Sequence, residues 1–228
     1  MKFILPVLIV LVLISGGAYL VLNKPATLKE ASQTETTTEG ATEVEAGTYV
    51  VVPEESSITF AGKKPLIEGY INAGSIAVSS GTITVENEKA SGEFTIGKNT
   101  LRVTATPKKP GKESALEGHL KGDRWFDVAT YPTATFEITN VERREDSEQT
   151  FIYGVTGNLT MKDHTHEVSF PATIYQAVDG TVVASASFAI DRTVWGITSG
   201  SGSFFDDLAD NVIDDMVSLS FSLTAQKQ

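Results

Sequence analysis

The stretch MVSLSFSLTA, residues 216–225, alternates without a break. Val217, Leu219, Phe221, Leu223 and Ala225 hold one parity, and Ser218, Ser220, Ser222 and Thr224 hold the other. Successive side chains of an extended chain point to opposite faces, so this is a strand with one apolar and one wet face. Such a face has to be covered. It requires further strands that enclose a common interior.

The sequence supplies them. TATFEITNV sets Ala134, Phe136 and Ile138 against Thr133, Thr135, Glu137 and Thr139. FIYGVTGNLTM aligns Phe151, Tyr153, Val155, Leu159 and Met161, and EVSFPATIYQ aligns Val168, Phe170, Ala172 and Ile174. SSITFAG, SGTITVEN, SGEFTIG and VVASASFAID repeat the pattern, separated by turns such as AVDGT. About eight to ten strands of this kind predict an all-β domain, either a sandwich or a closed antiparallel barrel. One segment departs from period two. SALEGHL carries Leu116 and Leu120 at i, i+4 and predicts a short helix, with Ser114 as N-cap and Glu117 as its capping-box partner. Pro132 then stands at the start of a strand, where a missing N–H is tolerated.

Ahead of the β-patterned region the chain has a different character. MKFILPVLIVLVLISGGAYLVLNK holds an apolar run from Phe3 to Leu22. As a helix it would reach roughly 30 Å, the hydrocarbon thickness of a bilayer. Two readings stand for residues 1–23. One is an uncleaved signal anchor. The other is a signal peptide with its apolar part at Phe3–Ile14 and a cleavage point among Ser15, Gly16, Gly17 and Ala18. Tyr19–Leu22 continue the apolar run and favour the anchor. Either reading puts the following domain outside the cytoplasm: attached to the cell membrane and facing outward, or periplasmic or secreted after cleavage. Residues 24–47, rich in Thr and Glu, have too few large apolar side chains to offset the entropy of ordering, and predict a flexible acidic tether. The β-domain is expected over 48–228.

Composition removes several functions. A formal charge of −11 repels phosphate backbones, so nucleic acid is not an expected partner. The absence of cysteine removes disulfides, thiolate metal sites and thiol catalysis. In MKDHTHEVSF, His164 and His166 are two apart and can face one side of a strand, as metal ligands must. Asp163 between two alternating strands reads instead as a hairpin tip, and the histidines have no committed third ligand. No metal is expected, and His164 and His166 stay only as an alternative, with His119 on the predicted helix beyond them. Asp206, Asp207, Asp210, Asp214 and Asp215 lack the spacing and central glycine of an EF-hand, and read as a solvated loop. GSGSFF has no phosphate-loop lysine, and SGSGS is not a nucleophile elbow. None of these stretches carries a catalytic or cofactor signature, so neither an enzyme nor a cofactor is expected.

Four blocks stand in order: LEGHLKGDRWFDVATYPTATFEI (116–138), VTGNLTMKDHTHEVSFPATI (155–174), FAIDRTVWGI (188–197) and GSGSFFDDLADNVIDDMVSLSFSL (200–223). Their order and wording resemble the YceI-like, or polyisoprenoid-binding, family over roughly residues 48–226. The resemblance implies an extended, lipocalin-like, eight-stranded antiparallel β-barrel with a helical insertion, here preceded by an N-terminal hydrophobic helix. It further implies an exported bacterial protein that holds an isoprenoid-type or other long-chain amphiphile inside the barrel. Physically this is reasonable. An eight-stranded barrel has room for side chains or one ligand, and each buried CH₂ contributes roughly 0.8 kcal/mol. Phe94, Phe136, Ile138, Phe170, Phe188, Trp195 and Phe205 are the candidate lining residues. Arg192 is the candidate head-group residue, or equally a structural partner of Asp191 or another carboxylate. Two alternatives remain: a cell-surface interaction barrel filled by its own side chains, and a His-based metal-binding protein. The expected partners are an amphiphilic lipid and, through the N-terminal segment, the membrane. Oligomeric state is left open.

Overall fold

The computed structural model describes residues 40–144 and 151–228. The apolar run Phe3–Leu22 therefore lies outside the described residues. Among the described residues no helix is long and apolar enough to cross a membrane.

Nine strands and one α-helix follow in the order β1 (Gly47–Val51), β2 (Ser57–Lys63), β3 (Ile71–Glu86), β4 (Lys89–Ala105), α1 (Glu113–Lys121), β5 (Thr133–Arg143), β6 (Ile152–Met161), β7 (His164–Gln176), β8 (Val182–Asp191) and β9 (Met216–Lys227). From β2 to β9 each strand pairs antiparallel with the next, and β9 pairs back onto β2. The sheet is thus a closed eight-stave barrel, not a sandwich, and closure leaves no long free edge. The first stave is broken. β1 and β2 run in the same direction and share the gap between β3 and β9: β1 pairs with Thr82–Val85 and Ala225–Lys227, β2 with Ile71–Ile76 and Ser218–Ser222. The 3-10 turn Pro53–Glu55 joins them. At this break the Ser56 hydroxyl donates to the Val52 carbonyl and accepts from the Thr224 N–H, replacing the missing ladder bonds.

The alternation read from the sequence is the barrel's inside and outside. Val217, Leu219, Phe221 and Leu223 line the interior, as do Ala134, Phe136 and Ile138, and Val168, Phe170, Ala172 and Ile174. Two-residue hairpins close β3–β4 at Asn87-Glu88 and β6–β7 at Lys162-Asp163, all four residues at positive φ, as primed turns require. Asp163 is a hairpin tip, as its surroundings predict. Tight curvature needs glycine under the aromatic rings. A Cβ on Gly157 would fall 2.4 Å from Phe136 Cζ and 2.5 Å from the Glu137 carbonyl oxygen.

Two expectations change. Helix α1 forms where predicted and packs Leu116 and Leu120 against Leu101 and Val103, but Ser114 is not its cap. The cap position is Lys112, with no side-chain bond, and the helix is held by its acids instead. Glu113 accepts from Thr106 Oγ1 at 2.6 Å, and Glu117 accepts from Arg102, Lys121 and the Val103 N–H. Secondly, residues 40–47 of the stretch read as tether lie on the barrel. Thr42 and Gln176 exchange both backbone hydrogen bonds at 2.9 Å, the Glu45 N–H donates to Gln176 Oε1, and Val44 packs against the core. One apolar side chain is enough here because backbone pairing does most of the holding.

An apolar cavity along the barrel

The inward rows do not meet at the axis. They leave a cavity of about 890 Å³, within the roughly 300–1,000 Å³ typical of small-molecule sites. It runs from the hairpin end, at Asn87, Glu88, Glu142 and Arg143, to the end covered by α1, at Leu116, Leu120, Trp125 and Phe126. A belt of phenylalanines surrounds its middle. Phe94 lies 6.5 Å from Phe136, Phe136 5.8 Å from Phe170, and Phe170 packs edge-on against Phe221 at 5.6 Å. Every strand from β4 to β9 except β6 and β8 contributes one of these rings, and β8 adds Phe188 beside Phe170. β6 adds Val155 and Leu159 to the lining.

Five of the seven sequence candidates line this cavity: Phe94, Phe136, Ile138, Phe170 and Phe188. Two do not. Trp195 is 2% exposed in the wall, among Ala134, Leu159, Met161 and Ile190, with Nε1 donating to the Leu159 carbonyl at 2.9 Å. Phe205 is 50% exposed on the β8–β9 connection and faces outward. Its parity carried no information because it lies in a connection, not a strand. Phe60, Phe126 and Phe221 line the cavity and were missing from the candidates. Phe221 was readable from its place in MVSLSFSLTA.

Arg192 reaches the cavity's α1 end but is fully engaged. It is 3% exposed. Its Nε donates to the Asp214 carbonyl, one terminal nitrogen to the Ile197 and Ser199 carbonyls, and the other to the Ile213 carbonyl and the Asp215 carboxylate. Five donors meet five acceptors, which leaves none for a head group. Burial pulls its pKa down, and Asp215 foremost among nearby acids opposes that. The structural alternative holds, with Asp215 as the carboxylate and not Asp191, which instead caps the turn Arg192–Trp195 by accepting from Thr193. The acidic run is accordingly split. Asp206, Asp207 and Asp210 are exposed, whereas Asp215 serves Arg192 and Asp214 pairs with Lys63 at 3.1 Å. Burial works against the Asp214 charge, but the Met216 N–H and Lys63 outweigh it and hold the carboxyl below its usual range.

The histidines stay apart in role. His164 contacts the Lys162 carbonyl through Nδ1, and His166 packs edge-on against Trp195 at 5.4 Å. His119 is exposed on α1. Among the described residues no group of three or more His, Cys, Asp or Glu is arranged to hold a metal ion.

A buried charged residue was not anticipated. Lys98 is 1% exposed and lines the cavity. The sequence did contain its signal. In SGEFTIGKNTLRVTA the apolar row runs Phe94, Ile96, then shifts parity to Leu101 and Val103. A parity shift inside one strand announces a bulge, and Lys98 stands on the inward parity just before it. The bulge is real: Ala77 pairs with Gly97 but Ser75 with Arg102, and the Thr100 hydroxyl fills the gap, accepting from the Ala77 N–H and donating to the Gly97 carbonyl.

Comparison with known proteins agrees with this architecture. The chain is similar in fold to BcnA of Burkholderia cenocepacia, with a TM-score of 0.58 and 23% identity, covering 76% of this chain and 98% of that one. It is likewise similar to a polyisoprenoid binding domain from Saccharophagus degradans, with a TM-score of 0.60 and 14% identity, covering 81% and 100%. No curated protein matches it by sequence. The YceI-like domain model matches residues 49–225, from the first stave to the last, and the chain belongs to the YceI-like domain family.

Proposed function

We propose that this protein is a non-catalytic carrier that holds a long-chain amphiphile, of isoprenoid or fatty type, inside its barrel. The observation that carries this reading is the apolar cavity of about 890 Å³ running between the two ends of the barrel. A flexible chain gains by leaving water along its whole length, at roughly 0.8 kcal/mol per buried CH₂, so shape and apolarity suffice for affinity. The phenylalanine belt provides a rigid, apolar wall, and the polar residues gather at the ends. An interior of this size weighs against a barrel filled by its own side chains. The polyisoprenoid binding domain of Saccharophagus degradans, built on the same fold, supports the ligand class.

The N-terminal apolar run supports export and attachment to the outer face of a membrane, which would place the barrel next to a supply of such molecules. The test is direct. Full-length protein, extracted gently from membranes and analysed by native mass spectrometry, is expected to carry a long-chain molecule released on denaturation. Protein that emerges empty, and that takes up no polyprenol or quinone when offered them, overturns the reading.

A further inference from the structure

Lys98 is unusual in where its charge lies. Its ammonium is buried in an apolar lining, donates to the Phe126 carbonyl at 3.1 Å and sits 5.6 Å from the centre of the Tyr131 ring. An ammonium has three N–H groups, and this is the one hydrogen bond it makes among the described residues. No carboxylate there lies within ion-pairing distance. Asp127 and Asp163 act on it from farther away, and Lys162 repels it. A buried cation without a counter-ion is costly, and an apolar side chain would fill the same space without that cost. Arg192, the other buried cation of the lining, differs in having every donor used.

We propose that Lys98 receives the acidic head group, a carboxylate or a phosphate, of the long-chain molecule in the barrel. The ligand's anion would supply the missing counter-ion, with its tail running from the α1 end past Phe136, Phe170 and Phe188. This rests on the carrier reading above and adds the orientation and the head-group class.

The experiment compares matched chains on the full-length protein: oleate against oleyl alcohol, and dodecyl phosphate against dodecanol. Lys98→Met is expected to weaken an acid probe at least tenfold while leaving its alcohol within twofold. Loss with oleate assigns a carboxylate, and loss with dodecyl phosphate a phosphate. A second measurement needs no variant. Burial lowers the Lys98 pKa to about 8, so wild-type affinity for oleate should fall between pH 6.5 and 9.5 while that for oleyl alcohol holds. The groups facing Lys98 are Asp127 and Tyr131 from the α1–β5 connection and Lys162 and Asp163 from the β6–β7 turn. Asp163 holds Tyr131 above its usual value, which keeps that hydroxyl neutral in this window. Acid and alcohol weakening together, or acid binding indifferent to both Lys98→Met and pH, overturns the proposal. Wild-type protein that binds neither member of either pair overturns the carrier reading, and this proposal with it.

Discussion

Phe170 and Phe188 stack face to face from adjacent strands β7 and β8, ring centres 4.1 Å apart and planes within 8° of parallel. The pair forms the tightest point of the aromatic belt and faces the cavity on one side. Phe170 is buried and also touches Phe136 and Phe221, so its removal leaves three rings without their neighbour. Phe170→Ala is expected to destabilise the barrel by about 3 kcal/mol, the low end for such a truncation because the site already borders open space. Chemical denaturation measures the loss.

Filling the cavity should separate stability from binding. Ala184 lines the interior on β8, and a larger side chain there enters empty volume instead of displacing a neighbour. Ala184→Phe is expected to change stability by less than about 1.5 kcal/mol and to lower affinity for every long-chain probe, acid and alcohol alike. Parallel melting curves and fluorescent-lipid displacement test this.

Arg192→Lys replaces a planar fork with a point charge. The carbonyls of Ile197, Ser199, Ile213 and Asp214 lose donors inside a buried site, and the β8–β9 connection loses the centre that gathers it. The expected cost is about 3 kcal/mol or more, seen as a lower denaturation midpoint with early proteolysis between residues 196 and 215.

Lys98 should show the opposite sign. Its folded pKa is about 8, below the ordinary lysine value of 10.5. Between these values the unfolded chain binds more protons than the folded one, so this group makes stability rise with pH through that window. Below about pH 8 the full penalty applies, roughly 3 kcal/mol from the shift; Lys98→Met removes it but also loses the Phe126 hydrogen bond, worth about 1 kcal/mol. Lys98→Met is expected to stabilise the ligand-free protein by about 2 kcal/mol at pH 7, with the gain over wild type shrinking as pH approaches 10. Urea titrations at pH 7 and pH 10 check the size and the trend.

Gly157→Ala is expected to cost about 2 kcal/mol through overpacking. The new methyl would meet Phe136, which can turn, and the Glu137 carbonyl oxygen, which cannot. Thermal melting of this single variant is sufficient.

The barrel's wall was legible in the sequence because burial on one face imposes period two. Phe136, Ile138 and Phe170 have their faces from that rule, and Phe94 and Phe188 stand in segments that repeat the pattern. Trp195 and Phe205 did not, because parity has no meaning in the connection between β8 and β9, where a turn sends one ring into the wall and the other into water. Arg192 was recognised as important, but its acceptors are backbone carbonyls at Ile197, Ser199, Ile213 and Asp214, which no residue type advertises. Lys98 was overlooked because a lysine is ordinarily read as an outward residue. Only the shift of the apolar row across Gly97–Leu101 betrays it. The hairpin at Lys162-Asp163 was located from its flanks, while the supposed cap at Ser114 failed because Glu113 and Glu117 had partners on neighbouring segments.

The junction at Thr42 has a mechanical consequence. Any pull transmitted along the chain toward residue 40 is met first by the two backbone hydrogen bonds between Thr42 and Gln176, then by the Glu45–Gln176 contact, and only afterwards by β1. These bonds act as a sacrificial latch. Tension would release a few residues of slack beside the Asn87 end before it loaded the barrel wall, so the protein can be tugged without being opened.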